Sequence, residues 1–469
     1  MPGRQGKSKY SLREARVLRV AVTTALITTF AGSSLNVAIP SLSAEYHMSG
    51  AAAGWIITMY TLVTSMLSVP TGRLSVKIGN RKGLITGIGI FGAMCIAAVF
   101  SVNGTMVITC RALQGIGASF IFATNMAIVV SVFPPEKSGA ALGIMTAGTY
   151  TGLSVGPVLG GILNSYFGWR SIFIVMFIIS AVAFIEAVRH LEWKQEARDS
   201  SLHQDIRGTL LYMAGLAMIM TGFSELTAWP YGKYLLAAGI AVMAVFFYIE
   251  TRTDDPVVEV RIFLTNRIFT LSNITALLNY GAIFSISYLV SIYLQVVKGC
   301  GSQAAGLRLV IQPVIQAVLS PGAGRLSDRV EAWKLVTAGM VICSAALFCF
   351  SMLSENSPLW LVVALLAAAG TGVSLFSSPN TNQILSSVGP QDKTFASATL
   401  STMRTIGQTG GMAAVTLITS LFLGTMTLQE APASMLIKTM HTAFIVSTAL
   451  CIAGAVMSTA RSAGSVSGE

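Results

Sequence analysis

Fourteen stretches of this chain are apolar for long enough to cross a bilayer, and they constrain its fold more than any other feature. They run over roughly 17–40, 52–71, 84–102, 105–132, 139–163, 168–189, 208–226, 231–250, 267–296, 303–322, 335–353, 358–385, 395–424 and 435–460. A helix needs about 20 apolar residues to cross a hydrocarbon core of roughly 30 Å. In lipid, each backbone amide must also find its partner inside its own segment. The chain therefore reads as an all-α polytopic membrane protein with 14 transmembrane helices. Only 10% of its 469 residues are charged, against about 25% in soluble proteins. A soluble enzyme, a nucleic-acid-binding domain and a disordered chain are excluded. The first run exceeds the apolar core of about 7–15 residues found in signal peptides, and is read as the first span.

Basic residues set the expected orientation, because cytoplasmic loops retain Lys and Arg. With the N-terminus inside, 23 of the 30 Lys and Arg fall on the cytoplasmic side. Five fall outside: Arg170, Lys233, Lys298, Arg308 and Lys438. The remaining two, Arg111 and Arg404, lie within spans. Both termini are expected in the cytoplasm, in a multi-pass protein of the cell membrane. The formal charge of +11 then belongs beside anionic headgroups, and no nucleic-acid partner is expected. Of six cysteines, five lie in apolar runs and Cys300 in a loop, so no disulfide or metal framework is readable.

The chain also repeats itself. Gly72-Arg73-Leu74-Ser75-Val76-Lys77 returns 252 positions later as Gly324-Arg325-Leu326-Ser327-Asp328-Arg329, each copy after a proline, Pro70 or Pro321. Both are expected in cytoplasmic loops, after spans 2 and 10. Parallel six-span repeats are one way to build a transporter. The expected division is a basic tail over 1–16, a first six-helix bundle over 17–189, and a linker with two extra helices over 190–266. A second bundle over 267–461 and a tail over 462–469 complete it.

Several motifs carry a family resemblance over nearly the whole chain. Gly72, Leu74, Lys77, Gly79 and Arg81 match a span 2–3 loop signature, and Trp55 to Leu62 match a Trp-x-x-x-x-Tyr-x-Leu pattern. Arg111 to Ala118 reads Arg-x-x-Gln-Gly-x-Gly-Ala. Span 5 spaces Gly143, Gly152, Gly156, Pro157, Gly160 and Gly161 as an antiporter-associated signature does. Small residues three to four apart let helices approach closely, and proline removes a backbone bond. With these motifs the sequence resembles the major facilitator superfamily, in its fourteen-span drug:H⁺ antiporter branch. The resemblance implies two six-helix bundles plus two inserted helices. It also implies alternating access, a small-molecule substrate, protons as coupling ion, a monomer and no cofactor. No phosphate loop is readable, so a gradient or a partner is the expected drive.

Charge inside a bilayer is expensive and normally faces a cavity or a partner. Arg111 and Arg404 are therefore candidates for the transport pathway, with Asn36, Gln114, Asn125, Asn279, Gln312 and Gln316 as polar lining. The gate loops are expected to use Gly72, Arg73, Lys77, Gly79 and Arg81, and Gly324, Arg325, Asp328 and Arg329. Two departures from the family pattern concern coupling. The acid usual five residues before Asn36 is Ala31, and the acid usual in the first gate loop is Val76. None of the 19 Asp and Glu falls near a span centre; Glu186, Glu225 and Glu250 lie at span ends. The absence of a counter-charge favours a neutral or anionic substrate. An enzyme is not expected, since no paired acids or nucleophile and base share the spans.

Overall fold

The computed structural model describes residues 11–191, 205–253, 260–327, 329–389 and 393–460. All fourteen apolar runs fall on helices. The first is α1 (Leu12–Ser33) continued by α2 (Leu35–Glu45). Then come α3 (Gly50–Ile78), α4 (Asn80–Val99), α5 (Gly104–Val132), α6 (Pro135–Phe167) and α7 (Arg170–His190). Next are α8 (Ile206–Ser224), α9 (Gly232–Glu250) and the short α10 (Val260–Thr265). The second half holds α11 (Arg267–Ile292) with a π-helical end at Tyr293–Val297, α12 (Ser302–Leu309) and α13 (Ile311–Leu326). It closes with α14 (Ala332–Ser351), α15 (Leu359–Ser386), α16 (Lys393–Leu423) and α17 (Ala433–Thr459). An even number of helical runs puts Leu12 and Thr459 at one end of the molecule, here the tail end.

Breaks in the spans have local causes. Along α1, Thr24, Thr28, Thr29 and Ser33 each donate a hydroxyl to the carbonyl four residues back. Such back-bonding bends helices, and the span breaks at Ser34, with Pro40 inside α2. The α12–α13 break at Val310 precedes Pro313, which has no N–H to offer the previous turn.

The repeat is visible in packing. In the first half, a Cβ on Gly117 would stand 2.6 Å from the carbonyl of Gly87, joining α5 to α4. In the second, a Cβ on Gly339 would stand 2.6 Å from the carbonyl of Gly372, joining α14 to α15. Gly72 faces Ala123 on α5, and its counterpart Gly324 faces Ser378 on α15. The expected gate loops, however, are helical. Gly72, Arg73 and Lys77 occupy the last turns of α3, and Gly324 and Arg325 those of α13. Pro70 and Pro321 are accommodated inside these helices, and Gly79, at φ 100°, is what ends α3. Arg81 donates to the Val188 carbonyl at 2.9 Å, near the end of α7. Arg329 follows α13 in a turn, its N–H on the Leu326 carbonyl, whereas Asp328 lies outside the described residues.

Away from the tail end, Glu45 ties spans 1 and 6 together. Its carboxylate accepts from Arg170 Nη1 and Trp169 Nε1, both at 2.7 Å. Burial pushes this carboxyl up, but the bonds from Trp169 and Arg170, with the arginine's charge, bring it below its ordinary 4.5. A lowered carboxyl stabilises the fold above its ordinary value and stops doing so as pH falls through the lowered one. Glu45→Gln is thus expected to lower the unfolding temperature in detergent at pH 7, with the gap closing toward pH 3. An equal gap at both pH values would contradict the pairing.

Candidate transport pathway

Two helix seams join the halves. In one, α3 meets α16 through Thr58 and Thr416 at 3.4 Å and Ser65 and Thr409 at 3.4 Å. In the other, α6 meets α12. The span 5 glycines explain that approach: Gly152, Gly156 and Gly160 leave room for α1 and α2 at Leu26, Ser33 and Ser34. Further along α6, a Cβ on Gly161 would stand 2.5 Å from the Ser302 carbonyl, and one on Gly306 would run into the Pro157 carbonyl. Gly143 lies on the same helix. The signature thus serves two contacts, one within the first bundle and one between bundles. The inserted pair packs over the other seam: Tyr212 donates to the Ser65 carbonyl at 3.2 Å, and Met220 faces Gly410.

Contacts between the halves are gathered away from the tail end. Gly50 N–H donates to the Met426 carbonyl at 3.0 Å, beside an antiparallel bridge between Ser49 and Thr427. Gln429 donates to the Pro40 carbonyl at 2.5 Å, Gln295 to that of Val37 at 2.9 Å, and Ser302 to that of Gly161 at 3.2 Å. Asn36 Nδ2 donates across to Ser287 at 3.2 Å, while its Oδ1 is buried without a partner. One turn before it, a Cβ on Gly32 would meet open space. Toward the tail end, Ser397 approaches the Met126 sulfur at 3.3 Å.

Arg111 is placed inside the first bundle, fully buried. Its Nε donates to the Ile56 carbonyl at 3.2 Å, Nη1 to Gln114 Oε1 at 2.8 Å, and Nη2 to the Ala31 carbonyl at 3.4 Å. The guanidinium lies 4.1 Å from the centre of the Tyr60 ring. Gln114 reaches on to the Cys95 sulfur at 3.3 Å. From span 1, Ala31 offers Arg111 a main-chain oxygen and no side-chain charge. Asn125 likewise works inside the bundle, donating to the Ala21 carbonyl at 2.9 Å. Asn279 is buried facing the Cys343 thiol of α14.

The second half places its arginine differently. Gly281 on α11 packs against Gly407 and Gly411 on α16 with essentially no space between backbones. Arg404 is one turn before Gly407 on that face, so the seam sets its guanidinium 5.0 Å from the centre of the Tyr280 ring. Tyr280 is braced edge-on by Phe376 at 6.0 Å and paired through its hydroxyl with Ser377 at 3.1 Å. Tyr150, from α6 of the first bundle, is close enough to act on Tyr280 electrostatically. On α13, the Gln312 carbonyl packs at Gly370 and the Gln316 carbonyl accepts from Ser374. Tyr150 and Tyr280 were not legible as site residues; the Gly281/Gly407/Gly411 seam beside Arg404 was the available signal.

The described acids stand near helix ends or in the turns between helices. Glu186 pairs with Arg19 at 3.1 Å, Glu225 accepts from Trp55 Nε1 at 2.5 Å, and Glu250 is the buried last residue of α9.

The Major Facilitator Superfamily profile matches residues 21–412 and 272–465. The chain belongs to this superfamily. It is a multi-pass membrane transporter and not an enzyme, with relatives in the drug-efflux branch. Riboflavin transporter RibZ of Clostridioides difficile is 30% identical over 393 residues, spanning 83% of this chain and 85% of that one. The methylenomycin A resistance protein of Streptomyces coelicolor is 27% identical over 84% of both chains. Methyl viologen resistance protein SmvA of Salmonella typhimurium is 28% identical over 79% and 75%. Among solved structures, a bacterial homologue of the human lysosomal transporter Spinster, inward-facing and unoccupied, superposes with a TM-score of 0.70. That match covers 96% and 97% of the two chains at 14% identity, and it speaks to the fold.

Proposed function

We propose that this chain exports small lipophilic molecules, drugs or metabolites, across the cytoplasmic membrane by alternating access. The observation carrying this reading is the uneven contact between bundles, closed at the far end through Ser49, Gly50, Met426 and Thr427. The concentration of Lys and Arg supports a cytoplasmic tail end and cytoplasmic termini. The closed end then faces outward, and the space between bundles takes substrate from inside. The Spinster homologue with the same fold is described in an inward-facing state. Export fits relatives named for resistance, and a metabolite cargo fits the riboflavin transporter.

Proton antiport is the first reading of the coupling, supported by the complete glycine and proline signature of α6. A second reading is an exporter of neutral or anionic lipophilic compounds that is not coupled to protons. It is favoured by Ala31, whose carbonyl meets Arg111 at the position where the family resemblance leads one to expect an acid. The two separate in inside-out vesicles given riboflavin or methyl viologen, with and without an acidic interior. Antiport predicts uptake that requires the gradient and collapses with a protonophore. Indifference to the gradient replaces it with the second reading. No uptake of a broad substrate panel would overturn both, leaving a transport-inactive sensor or scaffold.

A further inference from the structure

We propose that Arg404, Tyr280, Ser377 and Tyr150 form a binding site for a planar aromatic compound carrying a negative charge, held between the two bundles. The inference deepens the transporter reading and rests on it. Arg404 lies 11 residues inside α16, roughly 16 Å from its start at 1.5 Å per residue. That depth exceeds the length of the side chain. Among the described residues its guanidinium has no hydrogen-bond acceptor; its contact is the Tyr280 ring. Arg111 is the internal contrast, with three acceptors and full burial. One arginine is satisfied by the protein, and the other leaves its donors open.

The chemistry of the open donors selects the ligand. A guanidinium presents five N–H groups in its plane and has no acceptor of its own. With one face over Tyr280, its edge remains available to a carboxylate, phenolate or ionised imide, the geometry in which arginine binds best. The ring of Tyr280 is braced by Phe376, and its hydroxyl is paired with Ser377. It offers a rigid face for a flat ligand, with Tyr150 approaching from the opposite bundle. Among the described residues no carboxylate hydrogen-bonds or ion-pairs with Arg404, so its charge stands unneutralised and opposes a bound cation. A ligand touching Tyr150 and Arg404 together contacts both bundles, which lets occupancy bias their closure.

The test is equilibrium dialysis of the purified full chain in nanodiscs against three flat probes: 2-naphthoate, 2-naphthamide and 2-naphthyl-trimethylammonium. The native protein is expected to bind naphthoate about tenfold more tightly than the other two. Arg404→Gln should erase that preference, and Arg404→Lys should keep part of it. Tyr280→Leu and Tyr150→Leu, on different bundles, should each weaken naphthoate about tenfold, which gives a readout even if Arg404→Gln does not fold. Equal or cation-favouring binding by the native chain would overturn the proposal. So would a naphthoate preference surviving Arg404→Gln, or unchanged affinity in both tyrosine variants. Binding needs no movement, so the two readings fail separately. Anion-selective binding without vesicle flux sinks transport and keeps the site. Flux without anion preference does the reverse.

Discussion

Arg111→Ala is expected to lose most of its folded protein before it reveals any defect in a transport step. The substitution strips hydrogen bonds from the carbonyls of Ile56 and Ala31 and from Gln114 Oε1, around a fully buried side chain. Gln114 Oε1 is left a buried acceptor without its donor at about 1–3 kcal/mol, and the helical Ile56 carbonyl loses only a second bond. A cavity also opens, partly offset because a charge no longer has to be desolvated. A net loss of roughly 2–4 kcal/mol is expected, read as a lower unfolding midpoint in detergent. Arg111→Lys should not rescue it, since a point ammonium cannot span three acceptors as the planar fork does. A variant as stable as the native chain but dead in transport would contradict this account and return Arg111 to the coupling machinery.

The two arginines show what sequence could and could not reveal. Both were legible as charges within spans, because charge is rare in fourteen apolar runs. Their environments were not legible, since these depend on which helices face them. Arg111 is enclosed by spans 1, 2 and 3 through Ala31, Ile56, Tyr60 and Cys95. Arg404 is set against the Tyr280 ring beside the backbone contact of Gly281 with Gly407 and Gly411. The spans themselves were readable because lipid demands long uniform helices. The helical state of 72–77 was not, because a proline and glycines read as punctuation in water are tolerated inside membrane helices. The repeat was visible as a sequence match, and packing extends it to glycine pairs that no single motif contains. The span 5 signature was legible as a close-packing surface. Its second partner, α12, follows from how the halves meet, which no local spacing encodes.

Closing the far end permanently should stop transport altogether, which makes it the second large effect. Ser49 and Thr427 form an antiparallel bridge between the bundles, with the Gly50 N–H on the Met426 carbonyl beside them. Paired residues in such a bridge stand about 4.5–5.5 Å apart at Cα, within the span a disulfide tolerates. Ser49→Cys with Thr427→Cys can therefore be cross-linked in the state described here. Exposed Cys349 and half-buried Cys300 would first be replaced by serine. The reduced protein is its own control, because it carries the same substitutions, including loss of the Ser49 cap on α3. Alternating access requires this contact to part in every cycle. Oxidised protein in vesicles is expected to move no substrate, and reduction to restore the rate. Transport by fully cross-linked protein at the reduced rate would contradict it.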